Sequence, residues 1–173
     1  MKKLVLLVVS LALFMACKDN APPRYASASP EIDVVKALIK DYEDGNWEGW
    51  MAHYADTAKL YHNSRDASTA AQIRDGLSGL LANVSSYGFA DDDTFLEMVV
   101  DDDGEKWVNF WGDWEGTLSA NEKKMSIPVH LTLQFVDGKI VEEHAYYDLS
   151  KYMAEMNAIK EASMESEESP EGE

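Results

Sequence analysis

Four histidines and a C-terminal half dense in carboxylates and tyrosines are the residues of this sequence that could do chemistry. His62 closes a short run, Lys59 to His62, that reads as a strand. A neutral imidazole at that point could take a proton from a carbon next to a carbonyl, or from a water, because its ordinary pKa lies near neutrality. Glu142, His144, Tyr146 and Asp148 alternate along the last strand candidate, so one face of it carries two carboxylates, an imidazole and a phenol. Brought together in a cavity, His62 and either Glu142 or Asp148 would make a base with a carboxylate partner. Each residue also has a plainer reading. His62 can end its strand in solvent, Glu142 can reach water, since an unpaired buried carboxylate is costly, and Asp148 stands where it can cap a final helix.

The elements that must position these groups follow in order along the chain. Ser29-Pro30-Glu31 is a helix start, with Ser as cap, Pro in the first turn and an acid where the helix dipole favours it. Ile32, Val35, Leu38, Ile39 and Tyr42 then share a face, and Gly45 stops the run. Asn46 caps a shorter helix whose Trp47, Trp50, Met51 and Tyr54 again fall together. Thr69 and Gln72 fit a capping box for a third helix, with Ile73, Leu77, Leu80, Leu81 and Val84 inward and Gly88 as its end. Beyond Gly88 the hydrophobic period becomes two. Residues 95–100, 106–118, 126–136 and 139–148 are strand candidates, which predicts an antiparallel meander, and a short amphipathic helix over 149–159 closes the domain.

Asp137-Gly138 is the strongest hairpin signal in the chain. A two-residue loop there pairs Phe135 with Ile140, Leu133 with Glu142 and Leu131 with His144. Leu131, Leu133, Phe135, Glu142, His144, Tyr146 and Asp148 then share the side that faces the helices. His130, Gln134 and Tyr147 fall on the other, a parity that separates His130 from His144 and argues against a metal held between them. Asp91-Asp92-Asp93 and Asp101-Asp102-Asp103-Gly104 lack the spaced ligands of a calcium loop and read as solvated turns. Neither a metal nor a cofactor is expected. Trp107 and Trp111 alternate against Val108, Phe110 and Trp114, so both faces of that strand are at least partly covered, one lining a pocket and the other, the convex face, open to a homodimer contact.

Three helices, a short strand and a curved meander, in that order, resemble the SnoaL-like branch of the nuclear-transport-factor-2-like (NTF2-like) superfamily. Asp41-Tyr42-Glu43-Asp44-Gly45-Asn46-Trp47 with His53-Tyr54-Ala55-Asp56 is similar to its opening, and Asp137-Gly138-Lys139-Ile140-Val141-Glu142 with Tyr146 and Asp148 is similar to its closing hairpin. The resemblance implies an α+β fold over residues 30–159, an NTF2-like cone of three N-terminal helices packed on a curved antiparallel sheet, with a short C-terminal helix. It also implies a pocket for a small, partly apolar ligand, lined by Tyr54, Leu131, Leu133, Phe135, His144 and Tyr146. His62 matches the general-base position of the steroid-isomerase-like members, which carry an acid there, and Asp148 matches an acid of cyclase-like members. Leu38 stands where the steroid-isomerase-like members place a tyrosine donor, so an isomerase of that type lacks its oxyanion partner. Since the superfamily holds both enzymes and pure binding modules, a ligand-binding domain and a hydrolase, isomerase or dehydratase using His62 with Glu142 or Asp148 both stand.

The first residues bear on location. Lys2 and Lys3 precede an apolar run, Leu4 to Ala16, broken only by Ser10 and too short to span a bilayer. Residues 1–16 read as a signal peptide, and Phe14-Met15-Ala16-Cys17 resembles the lipobox of bacterial lipoproteins, with Phe14 a relaxation found in Bacteroidota-like sequences. That resemblance implies diacylglycerol and palmitate chains on Cys17 and a place in the cell envelope, at the outer membrane; the alternative is a secreted protein cut near Ala16. Cys17 is the single cysteine, so no intramolecular disulfide can form. Residues 17–29 read as a flexible tether reaching roughly 40 Å when extended, and residues 160–173, almost wholly Glu, Ser, Ala and Gly, as a disordered acidic tail. Removing the two signal-peptide lysines moves the formal charge from −17 to −19, a balance that repels nucleic acid and excludes it as a partner.

Overall fold

The computed structural model describes residues 24–90 and 94–168. The expected signal peptide, Cys17, the first part of the tether and Asp91-Asp92-Asp93 lie outside the described residues.

Three helices begin where their caps predict. In α1 (Pro30–Glu43) the Ser29 hydroxyl accepts from the Ile32 N–H at 3.2 Å, and Ile32, Val35 and Leu38 are buried along one face. Gly45, with φ +67°, ends the run in the left-handed region that glycine tolerates. Asn46 caps α2 (Trp47–Ala52) through the Gly49 N–H at 3.1 Å. The capping box of α3 (Ala70–Leu81) is closed in both directions by Thr69 and Gln72. On α3, Leu77, Leu80 and Leu81 are only partly buried, because they look into open interior space, while Ile73 packs against the core.

Seven strands form one sheet: β1 (Tyr25–Ala26), β2 (Tyr54–His62), β3 (Val84–Phe89), β4 (Phe95–Val100), β5 (Lys106–Leu118), β6 (Lys124–Val136) and β7 (Lys139–Tyr147). Their order is β1-β4-β5-β6-β7-β2, with β3 also on β5. The thirteen-residue β5 is shared, since β4 pairs its first half and β3 its second. Inward residues of β5 alternate as expected, and two are glycines that make room for neighbouring rings. A Cβ at Gly112 would stand 2.8 Å from Phe110 and one at Gly116 2.2 Å from Trp114. Helices cover the concave face, where Leu38, Trp50, Leu60, Val108, Phe110 and Leu133 make the main core.

Four expectations are revised. Residues 84–88 are not the end of α3: that helix stops at Leu81, and the alternating Val84–Phe89 is recruited by the free second half of β5. The sheet is mixed rather than wholly antiparallel, because β2 runs parallel to β7. The tether's last residues are ordered as β1, paired to β4, with Arg24 Nε donating to the Val100 carbonyl at 3.1 Å. The closing helix, α4 (Ser150–Glu168), is long rather than short and carries on into the segment read as a disordered tail. Its Ala, Met, Glu and Lys are good helix formers, and Glu155 accepts hydrogen bonds from Asn121 and Lys123, tying it to the β5–β6 turn.

Candidate functional site

The site is set by an irregularity in the last hairpin. Asp137 (φ +50°) and Gly138 (φ +77°) make the tight turn, and Val136 pairs with Lys139 and Phe135 with Ile140 as predicted. One step further Gln134 pairs with Glu142, so β7 has spent two residues against one on β6: a β-bulge at Val141. From there Leu133 faces Glu143 and Leu131 faces Ala145. The bulge switches the inward set of β7 from even to odd numbers, as the burial of Ile140, Glu143 and Ala145 records.

The orientations expected for Glu142, His144 and Tyr146 are therefore corrected, because all three project to the convex face. There His144 contacts Glu142 at 2.9 Å and stacks on Tyr61, while Tyr146 is 55% exposed. His130 and His144 thus share a face instead of lying on opposite ones. Asp148 is exposed just beyond β7, where its Oδ1 accepts from the Ser150 N–H at 2.8 Å; that bond, at the entry to α4, holds its carboxyl below the usual range. It plays no part in the cavity wall. Leu133 and Phe135 are buried as expected, but in the filled core rather than along the cavity, which among the expected lining takes in Tyr54 and Leu131.

What the bulge turns inward is Glu143, a residue that strict alternation had assigned to the outer face. Its side chain is 2% exposed, and His62, arriving on the neighbouring β2, is 10% exposed. His62 Nε2 lies 3.0 Å from Glu143 Oε1, His62 Nδ1 lies 3.0 Å from the Tyr147 hydroxyl, and the Tyr54 hydroxyl donates to Glu143 Oε2 at 2.5 Å. In a neutral imidazole the carboxylate makes Nε2 the donor, which leaves Nδ1 to accept from the Tyr147 hydroxyl. Burial pushes the Tyr147 hydroxyl up to about 12, with the nearby Glu143 adding to it. Burial raises Tyr54 well above the ordinary tyrosine value, again with Glu143 contributing. Both phenols stay neutral donors at physiological pH. Glu143 and Tyr147 escaped the sequence reading; the only trace of them is the doubled acid Glu142-Glu143, one of which any register must turn inward.

His62, Glu143, Tyr54 and Tyr147 stand in the wall of a partly open cavity of about 100 Å³ between the sheet and helices α1, α3 and α4. Its remaining walls are apolar, among them Leu77 and Leu80 from α3, Val129 from β6 and Tyr152 from α4. One water needs roughly 10–15 Å³ by this kind of measure, so there is room for several waters or a small organic group. An imidazole oriented by a carboxylate in such a wall can exchange a proton with a bound molecule through the Tyr147 hydroxyl. Among the described residues no set of three His, Cys, Asp or Glu side chains is placed to hold a metal ion.

A curved sheet wrapped around a partly open cavity, with helices across its concave side, defines an α+β cone of the nuclear-transport-factor-2-like class. The chain belongs to the SnoaL-like domain family, whose sequence model matches residues 35–143. No curated protein matches it in sequence. Solved structures carry the same fold at low identity. A candidate polyketide cyclase from Xanthomonas campestris pv. campestris is 16% identical, with a TM-score of 0.58 over 75% of this chain and 98% of that one. An NTF2-like protein of unknown function from Burkholderia pseudomallei is 11% identical, with a TM-score of 0.57 over 73% and 97%. A protein with a ketosteroid-isomerase-like fold from Catenulispora acidiphila, in complex with trimethylamine, is 15% identical, with a TM-score of 0.54 over 68% and 87%.

Proposed function

We propose that this chain is an envelope lipoprotein, held at the outer membrane by acyl chains on Cys17, whose SnoaL-like domain takes a small, partly apolar molecule into its cone. The observation that carries the ligand reading is the cavity itself: an apolar chamber with one buried polar cluster is the usual make-up of a small-molecule site. The Catenulispora protein, of ketosteroid-isomerase-like fold, is in complex with trimethylamine, which supports a reading in which such a domain binds a small molecule. The anchor rests on Lys2-Lys3, the apolar run and Ala16-Cys17. Among the described residues no helix is long and apolar enough to cross a membrane. The test is mass spectrometry of the full chain purified in detergent from its own host. A small organic molecule released in stoichiometric amount is expected, and a chain that neither retains one nor binds small apolar probes would overturn the reading.

The His62–Glu143 pair favours a second reading, in which the domain is a hydrolase, isomerase or dehydratase. His62 would be the base, with Glu143 as the carboxylate that orients it. Turnover of the released molecule, lost in Glu143→Gln while binding persists, separates catalysis from binding.

A second copy of the chain is the partner proposed for the convex face. Phe95, Trp111, His130 and Tyr146 form a continuous run of rings there, tilted at Phe95–Trp111 and stacked beyond it, and Phe95 and Tyr146 are half exposed.

A further inference from the structure

The His62 cluster is saturated from within, and the direction of its hydrogen bonds decides what it can offer a ligand. Glu143 is 2% exposed and both of its oxygens are taken, Oε1 by the His62 Nε2–H at 3.0 Å and Oε2 by the Tyr54 hydroxyl at 2.5 Å. The neutral His62 ring has no nitrogen left, because Nδ1 accepts from the Tyr147 hydroxyl at 3.0 Å. Every donor proton of the cluster thus points towards Glu143: Tyr147 gives to His62, and His62 and Tyr54 give to the carboxylate. What stays open is the outer end of this chain. Tyr54 is 5% exposed and closed off. Tyr147 is only partly buried and lines the cavity, its ring edge-on to His62 at a centroid separation of 5.8 Å. Its oxygen has committed its one proton to His62 and retains lone pairs that accept.

We propose that the Tyr147 oxygen is an acceptor subsite that takes the hydroxyl proton of the ligand. The inference rests on the ligand-binding reading and narrows it to a class: compact, uncharged, mainly apolar alcohols or phenols. A ligand O–H donating to Tyr147 extends the chain by one bond in the same direction, and hydrogen bonds in series strengthen one another. A ketone of the same shape brings only an acceptor. Either the two oxygens then meet with no proton between them, or the Tyr147 O–H turns to the ketone and leaves His62 Nδ1 unpaired. Carboxylates and phosphates meet the same obstacle, and they bring negative charge to a wall that holds Glu143 and, among the described residues, no Lys or Arg. An ammonium group is able to donate, but it must shed its hydration in an apolar chamber whose carboxylate already has two donors.

The test uses the full-length chain in detergent, labelled with ¹⁵N-histidine, at about pH 8, above the ordinary imidazole range. The two probes, cyclohexanol and cyclohexanone, are matched in shape. Single Gln variants of His53, His130 and His144 assign the His62 signals by elimination among the four histidines. Those signals should show the Nε2–H tautomer. Cyclohexanol should shift Nδ1 upfield, as its hydrogen bond from Tyr147 strengthens, and bind about three- to tenfold more tightly than cyclohexanone. Tyr147→Phe should lower that preference while still binding cyclohexanone, which also reports that the variant folds. Any preference it keeps should come with a larger Nδ1 shift, the hydroxyl then reaching the ring nitrogen itself. If Tyr147→Phe does not fold, the parent's Nδ1 shift and probe preference decide. Equal or reversed binding of the probes by the parent, an Nδ1 signal that cyclohexanol leaves unmoved, or a preference kept in Tyr147→Phe without movement of Nδ1 would each overturn the subsite and leave the cavity reading intact. Absence of binding by either probe at millimolar concentration would take down the cavity reading, and the subsite with it.

Discussion

Glu143 Oε1 and His62 Nε2 are 3.0 Å apart across 81 residues of sequence, and the one-residue bulge at Val141 is what makes the contact. Without it, alternation from Ile140 would place Glu142 at this depth and send Glu143 to solvent. Bulges of this kind re-aim side chains beside sites. Among the described residues, the re-aimed one is the only carboxylate in the cavity wall.

The bulge gives neighbouring glutamates opposite roles, and stability measurements can read the difference. Glu143→Ala leaves the His62 Nε2 and the Tyr54 hydroxyl without partners in a buried setting, which should cost about 2–4 kcal/mol. Glu142→Ala removes a partly exposed contact to His144 and should cost less than about 1 kcal/mol. Urea denaturation of both variants against the parent checks this. A larger loss for Glu142→Ala than for Glu143→Ala would contradict the register.

Tyrosine ionisation offers an independent look at the cluster. Tyr147 titrates at about 12 in the folded chain, whereas a tyrosine in an unfolded chain ionises near 10. The neutral form is therefore favoured by folding. That contribution is fully present below pH 10 and is lost as pH rises from about 10 to 12. Absorbance at 295 nm should show late ionisation by the buried tyrosines, from which Tyr147→Phe removes the component near pH 12. Loss of amplitude from the step near pH 10 instead would mean that Tyr147 is not buried against Glu143.

The parts of this fold that could be read in advance are those written locally. Ser29, Asn46 and the Thr69–Gln72 pair announce helix starts because each satisfies backbone N–H groups within three residues of itself. Asp137-Gly138 announces a turn because both residues must adopt positive φ. Leu131 falls inward on simple alternation, whereas Tyr54 reaches the interior as the first residue of β2 rather than on the face of α2 where it was expected. What stayed hidden depends on partners far away in sequence. The bulge at Val141 has no composition of its own, since Ile140-Val141-Glu142-Glu143 fits either register equally well until β2 and the helices choose one. Strand β3 exists because the long β5 has an unpaired second half. His62 could be singled out, but Glu143 and Tyr147, which hold its ring, could not.

Anchoring is decided at one atom. If Cys17 carries the acyl chains, Cys17→Ser should abolish incorporation of labelled palmitate and move the protein from the membrane fraction to the soluble one. Several acyl chains together give lasting attachment, since each buried methylene contributes about 0.8 kcal/mol, so partial release is not expected. Fractionation after high-salt washing checks it. Persistence of the serine variant in the membrane would point to attachment by another part of the chain.

The convex face supplies the last prediction. A run of rings from Phe95 through Trp111 and His130 to Tyr146 crosses the four adjacent strands β4 to β7, with centroid separations of 5.5, 4.6 and 6.2 Å. Phe95 and Tyr146 are 50% and 55% exposed in the single chain, more than a solvated sheet face requires. Aromatics at the centre of an interface carry most of its energy. Tyr146 is the most exposed of these rings and has no role in the core, so Tyr146→Lys should leave folding intact while placing like charges across a two-fold axis. Sedimentation of the full chain in detergent should show a dimer for the parent and a dissociation constant raised by at least about tenfold for the variant. A parent that sediments as a monomer at micromolar concentration, or a variant that dimerises as well as the parent, would remove the second copy from this face.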